Sequence, residues 1–282
     1  MEESQPVVTL VSVLIVSHNC IEPLRRCLTA LEASFGRETM EILVMDNGSR
    51  DGSAAIDAEF PHITPLRMPR NFGWTKAMNI GMRTAVGEFL LFVDPNVEVR
   101  KDTVRKLAAR LQQDADTPAV CPMLVDESGA PVAMVRSLPS PSNREPAASV
   151  PSATGEEQAI DFPGMRALMI RKRVIAGMNY IDERYGQFWG DAEICYQVRR
   201  AGKKILMLPD ALATWHEPAS EGDTSAYRAD RILGASNFIG KHYGFMEGLK
   251  IRGGAALKAL VTLQLGVFVN LMSGQKVDGS HE

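Results

Sequence analysis

Residues 41–53 read EILVMDNGSRDGS and residues 88–99 read EFLLFVDPNVEV. Each is a short apolar run that breaks abruptly into Asp, Asn, Gly or Pro, the pattern of a buried strand ending at the rim of a sheet. Open α/β sheets take their ligands at that rim, so Asp46 from the first run, and Asp94 with Asn96 from the second, stand where carboxylates meet a nucleotide and a divalent cation. A third acidic cluster, FWGDAEI at 188–194, carries Asp191 and Glu193 and could bring a base to the same rim.

The same grammar extends outward. VSVLIV at 11–16 is a continuous apolar, β-branched run of the kind buried on both faces of a parallel sheet, and it ends at Ser17, His18 and Asn19. Leu24, Cys27, Leu28 and Leu31 then fall at helical spacing. Strands are expected over 42–45, 63–68, 89–93, 119–125, 162–170 and 204–208. Helices are expected from Ser53 as a cap, over 74–85, through Val104–Leu111, and over 191–201. Alternating strands and helices with short links predict a Rossmann-like, doubly wound, mostly parallel α/β sheet with flanking helices. Residues 138–158, LPSPSNREPAASVPSATGEEQ, are rich in Pro, Ser and Ala and read as a flexible loop. From Tyr227 onward the chain reads as mostly helical. The expected organisation is a domain over 1–222 and a C-terminal helical extension over 223–282.

Composition excludes several function classes. With 282 residues and 45% hydrophobic content the chain can bury a large core, so it is neither disordered nor fibrous. A net charge of −3 argues against broad attraction to nucleic acid. Cys20, Cys27, Cys121 and Cys195 form no Cys-x-x-Cys pair, which points away from a zinc knuckle or a disulfide framework and toward reduced thiols in the cytoplasm. MEESQPVVTL lacks the basic and apolar regions of a secretory signal. The apolar run 259–272 is interrupted by Gln264 and Asn270 and reads as interfacial or core-packed, not membrane-spanning.

Seven stretches in one order, VSVLIVSHN, LVMDNGSRDGS, NFGWTKAMNIGM, LLFVDPNVEV, GMRALMIRK, FWGDAEICYQVRRAG and LPDALATWHEP, resemble the inverting family 2 glycosyltransferases of the GT-A fold, particularly the rhamnosyltransferase-like branch. The resemblance runs from about Val11 to about Pro218. It implies transfer of a sugar, hexosyl or rhamnosyl, from a nucleoside diphosphate sugar to a glycan or lipid-linked saccharide in cell-surface polysaccharide synthesis. It assigns Asp46 to the nucleoside, with Ser17, Asn19, Arg70, Asn71, Gly73 and Lys76 beside the nucleotide. Asp94, Asn96 and His216 fall at the metal site, for Mg²⁺ or Mn²⁺. Asp191 falls at the general base, with Phe188, Trp189 and Glu193 toward the acceptor.

Bland readings stand beside these. Asn19 is equally a turn former, Lys76 and Asn79 equally solvated, Phe188 and Trp189 equally core. Glu193 is the alternative base, and either acid could simply favour a helix N-terminus. Two departures from the family pattern, Asn96 in place of an acid and Gly190 in place of the acid before the base, motivate a second reading as a catalytically weakened nucleotide-binding or assembly subunit. A nucleotidyltransferase is the third, although VSHNCIEPL lacks the Gly-rich basic phosphate loop that it needs. Lys250, Arg252 and Lys258 ahead of an apolar helix suggest peripheral contact at the inner membrane face, with core packing or dimerisation as the alternatives.

Overall fold

A computed structural model describes residues 9–152, 155–218 and 224–277. The chain opens with β1 (Val11–Ser17), α1 (Ile21–Glu32), β2 (Met40–Asp46), β3 (Thr64–Arg67), α2 (Trp74–Thr84) and β4 (Phe89–Val93). β1 lies between β2 and β4 and pairs parallel with both, while β3 adds in parallel outside β2. Every residue of β4 is buried, as are all of β1 but Val16, which explains why their sequences are continuous apolar runs instead of alternating ones. Leu24, Cys27, Leu28 and Leu31 form the buried stripe of α1, and Ala77, Met78, Gly81 and Met82 that of α2, which packs on β1 and β2.

The second half continues with β5 (Val97–Val99), α3 (Thr103–Gln113), β6 (Ala119–Val125), β7 (Gln158–Ile160), β8 (Ala167–Arg171), α4 (Lys172–Gly177), α5 (Gly190–Arg200) and β9 (Ile205–Trp215). The sheet order is β3-β2-β1-β4-β8-β6-β9-β5, with β7 on β9. The expected doubly wound α/β sheet is present, parallel through β4; β8 then enters antiparallel to both β4 and β6, and β6 pairs parallel with β9.

Local departures have local causes. The patterned stretch at 162–170 is a strand only from Ala167, as β8; β7 lies before it at Gln158–Ile160, and Phe162 between them accepts a hydrogen bond from Arg136 N–H at 3.0 Å through its carbonyl. β9 runs past Pro209 to Trp215 because its register against Pro122 and Met123 jumps from Leu208 to Leu212, so Pro209 occupies an irregularity and not a ladder position. Ser53 is not the cap of the short 3₁₀ helix at Gly52–Ala58: the Asp51 side chain accepts Ser53 N–H at 2.9 Å, and the Ser53 hydroxyl instead accepts Cys20 N–H at 3.3 Å.

The chain continues as α6 (Ser225–Tyr243), α7 (Phe245–Val261) and α8 (Leu265–Ser273). Ala235, Phe238 and Ile239 of α6 join the main core, whereas Ala229 and Leu233 pack with Ala256, Ala259, Val267 and Leu271 in a second cluster. The apolar run at 259–272 breaks at Leu263, which has φ 57°. Among the described residues no helix is long and apolar enough to cross a membrane.

After β2 the backbone turns at Gly48, where φ is 76° and a Cβ would sit 2.5 Å from the Arg70 main chain. Gly129 has φ 86° with nothing within 4 Å of its would-be Cβ. Gly129→Ala is expected to cost about 1–2 kcal/mol for the left-handed conformation alone, and Gly48→Ala distinctly more because the Arg70 backbone must also move. Equal losses in thermal unfolding would refute the close contact.

Candidate active site

Strand direction builds the site. β1, β2, β4, β6 and β9 run the same way, so their C-terminal ends share one rim, and antiparallel β8 presents its N-terminal end there. The rim therefore gathers Ser17, Asp46, Asp94, Arg166 and His216 from five strands. α5, which leads back into β9, starts at the same level with Asp191 in its first turn.

At one end of the rim, three loops are tied together by amides. Asn19, at φ 49°, accepts Arg50 N–H at 2.7 Å through its side chain, while its own N–H donates to Ser49 Oγ at 3.0 Å. Asn47 Nδ2 donates to Asn71 Oδ1 at 2.8 Å, and these two buried side chains also accept the N–H groups of Phe72 and Gly73. Asp46 is 4% exposed, with Ser49 N–H at 3.3 Å from Oδ1. Ser17 Oγ lies 3.3 Å from Cys20 Sγ. Arg70 and Lys76 are exposed, with their charges 5.4 and 4.4 Å from the centre of the Phe72 ring. Asn79, in contrast, is fully buried and clamps the backbone of Ile181 through both ends of its amide, so the solvated reading of that residue is corrected.

Asp94 and Asn96 form a compact pair. Asp94 Oδ1 accepts both Asn96 N–H at 2.8 Å and Asn96 Nδ2 at 2.9 Å, so neither bond uses Asp94 Oδ2 or Asn96 Oδ1. Burial pushes the Asp94 carboxyl up, and the Asn96 hydrogen bonds with the Arg166 charge offset this only in part. His216 is not brought into the pair by its ring. Its N–H donates to Asn96 O at 3.0 Å, but Nδ1 lies 2.9 Å from Glu127 and Nε2 3.1 Å from Glu98. Both ring nitrogens thus lie against carboxylates and not against Asp94 or Asn96. Among the described residues no group of three or more His, Cys, Asp and Glu side chains gathers as a metal cage.

Asp191 lines a cavity of about 460 Å³ together with Phe188, Trp189, Phe162 and a wall drawn from residues 136–148. Burial raises its carboxyl above the ordinary range, opposed by the Ala192 N–H at 2.8 Å and the Arg136 charge. Trp189 holds the left-handed conformation, φ 77°, which is unusual for a bulky residue and marks a constrained approach to α5. Its ring packs against Phe238 at 5.4 Å between centroids. Asp230 of α6 fastens the preceding loop: its carboxylate accepts Gln187 N–H at 3.1 Å and Val277 N–H at 2.7 Å. Gly190 has a packing reason, since a Cβ there would meet Thr75 Oγ1 at 2.7 Å.

Glu193 faces away from this cavity. Burial pushes its carboxyl up, but hydrogen bonds from Lys241, Gln197, His242 and Tyr185 outweigh that and hold it below the ordinary range. Its place is the seam between α5 and α6, and the expectation that it faces the acceptor is corrected. Conversely, Arg136, Arg144, Arg166 and Arg231 went unremarked in the sequence. Arg136, Arg144 and Arg231 line the cavity, and Arg166 sits beside Asp94 with its guanidinium 4.1 Å from the Trp215 ring centre. Nothing periodic marks them, because all but Arg231 lie in irregular segments.

The sequence profile of glycosyl transferase family 2 matches residues 12–172. The chain is 22% identical to the low-salt glycan biosynthesis hexosyltransferase Agl10 of Haloferax volcanii over 74% of this chain and 68% of that protein. It is 35% identical to the glycosyltransferase YfnE of Bacillus subtilis over 34% of this chain, spanning a quarter (25%) of YfnE. Among solved structures, GalNAc-T7 with UDP, GalNAc and Mn²⁺ superposes with a TM-score of 0.64 at 19% identity over 79% of this chain and 47% of that one. Staphylococcus aureus TarS 1–349 with UDP-GlcNAc superposes with a TM-score of 0.61 at 17% identity over 93% and 79%. At such identities the structural likeness establishes the shared fold.

Gly234 of α6 abuts Trp189, where an added Cβ would lie 2.6 Å from the indole. Gly234→Val is expected to displace Trp189 and red-shift tryptophan emission. The same shift in a Trp189→Phe background would show that Trp189 is not the ring that moves.

Proposed function

The chain belongs to glycosyl transferase family 2, and from that membership we propose that Asp191 is the general base for sugar transfer with inversion from a nucleoside diphosphate donor. The observation that carries this reading is a carboxylate lifted by burial, lining a cavity together with Phe188 and Trp189. A sugar hydroxyl is a poor nucleophile, and a carboxylate in hydrogen-bond reach takes its proton as the oxygen attacks. The new bond forms between that oxygen and the anomeric carbon, while the bond from carbon to the diphosphate oxygen breaks on the opposite face and its electron pair leaves with the diphosphate. Phe188 and Trp189 offer apolar faces to the C–H side of the acceptor sugar.

On the donor side, Asp46 meets the base or ribose. Asn71 and Gly73 shape the loop beside it, and Arg70 and Lys76 offer charge to the diphosphate. Ser17 and Asn19 act through the loops they hold. The oxygens of Asp94 and Asn96 suit a hard cation that brings its own phosphate and water ligands, as Mg²⁺ or Mn²⁺ does. When bound, that ion neutralises charge on the departing diphosphate. The amide at Asn96 supports the site, since it donates to Asp94 and still presents an oxygen. Gly190 is accounted for by packing on α2. Neither departure therefore favours a weakened subunit. The transferred sugar, hexosyl or rhamnosyl, is to be read from a panel of UDP-, dTDP- and GDP-sugars.

Asp191→Ala should lower kcat by about 10²–10⁴-fold while nucleotide binding and the thermal midpoint persist; full activity would overturn the assignment. Because the folded carboxyl is raised and must be ionised to act, activity should be lost as pH falls through that raised value. The acid limb of kcat/KM thus lies above the ordinary aspartate pKa of about 4, and an acid limb at or below it would count against Asp191.

The C-terminal helices expose Leu257, Leu260, Val261, Leu263, Leu265 and Val269, with Val261 and Leu263 at 73% and 80%. Lys250 and Lys258 are exposed on α7 beside them. This pairing of apolar and basic surface supports peripheral docking on an anionic lipid face, where a lipid-linked acceptor would be met. The protein should float with phosphatidylglycerol vesicles and less with phosphatidylcholine ones, and Val261→Glu with Leu263→Glu should abolish flotation. Flotation unchanged by the double substitution would sink the assignment of this surface.

A further inference from the structure

The cavity beside Asp191 carries more positive charge than a neutral sugar requires. Arg136, Arg144 and Arg231 all line it, and among the described residues none of the three has a carboxylate within ion-pair distance. Several arginines elsewhere in the chain are ion-paired, such as Arg110 with Glu157, Arg184 with Asp182 and Arg171 with Glu88. The acidic residues of the cavity are Glu145 and Asp191, and Asp191 is the group that must accept a proton. Arg231 is exposed, and its guanidinium lies over the face of Phe188, 4.7 Å from the ring centre. Guanidinium groups are well suited to phosphate and carboxylate, which they meet with paired N–H donors.

Arg136 is close enough to both Asp191 and Arg166 to act on their charges. Arg144 belongs to the wall at 136–148 and Arg231 to α6, on the cavity that Asp191 lines. Resting on Asp191 as the base, we propose that the acceptor is an anionic saccharide, bearing a phosphate or carboxylate group that Arg144 and Arg231 bind while Phe188 and Trp189 carry its sugar face.

The test compares binding of glucose 6-phosphate, glucuronic acid and glucose to the full chain by calorimetry, with UDP and Mn²⁺ present so that the donor side is filled. Both anionic probes should bind at least about tenfold more tightly than glucose, the discrimination expected from a charged hydrogen bond. Arg144→Gln with Arg231→Gln should erase the difference, and Arg231→Lys should keep part of it. Preference for the phosphate alone points to phosphate-bearing acceptors, and preference for both to a general anion site. Equal binding of all three probes, or a preference that survives the double substitution in a variant that unfolds at the wild-type temperature, would overturn the proposal. Donor turnover is read separately: its absence in the wild-type chain would count against Asp191 as base without touching the binding comparison.

Discussion

The in-register parallel pairing of β1 with β2 and β4 is the constraint from which the site follows. Val11 to Ser17 lie opposite Met40 to Asp46, so Ser17 is held against Asp46 by the same ladder that fills the core. Strands covered on both faces admit almost no polar side chain along their length. Charge is therefore expelled to the residue at which each strand stops, and parallel direction sends those stops to one edge. A slip of one residue would move the whole apolar set of β2 to the wrong faces and take Asp46 away from the rim. Core packing and ligand chemistry are thus specified by the same hydrogen bonds.

This coupling explains what the sequence made legible. β1, β2, β4 and β6 were visible because burial on both faces writes itself as an unbroken apolar run, and α1, α2 and α5 because one buried stripe writes itself at helical spacing. Asp46, Asp94 and Asp191 were visible as the polar residues that end or begin those segments. β5, three residues long, leaves no periodicity to read, and its pairing with β9 is decided by partners more than a hundred residues away. The extension of β9 past Pro209 was hidden for a similar reason, since a proline ordinarily signals a strand's end.

The site residues that sequence misplaced share one feature. His216 and Glu193 sit at the right positions along the chain, yet their partners, Glu98 and Glu127 for the one and Lys241 and His242 for the other, come from distant segments. A chain position fixes where a Cα lies, but competing charges decide where the side chain points. Arg144, among the cavity arginines, was missed for the complementary reason. The stretch at 138–158 looked like solvent-filling composition, whereas Leu138, Pro139 and Pro146 are buried, and Pro139 O accepts the Tyr243 hydroxyl at 3.0 Å.

The Asp230 clasp ties the loop before α5 to parts of the chain far from it in sequence. One carboxylate gathers the backbone of Gln187, 43 residues earlier, and of Val277, 47 residues later. The segment that carries Trp189 and Asp191 is therefore braced by α6 and by the residues after α8, whereas Asp46 and Asp94 stand at the ends of strands of the sheet. The C-terminal helices thus belong to the architecture of the cavity and are not an appendage to it.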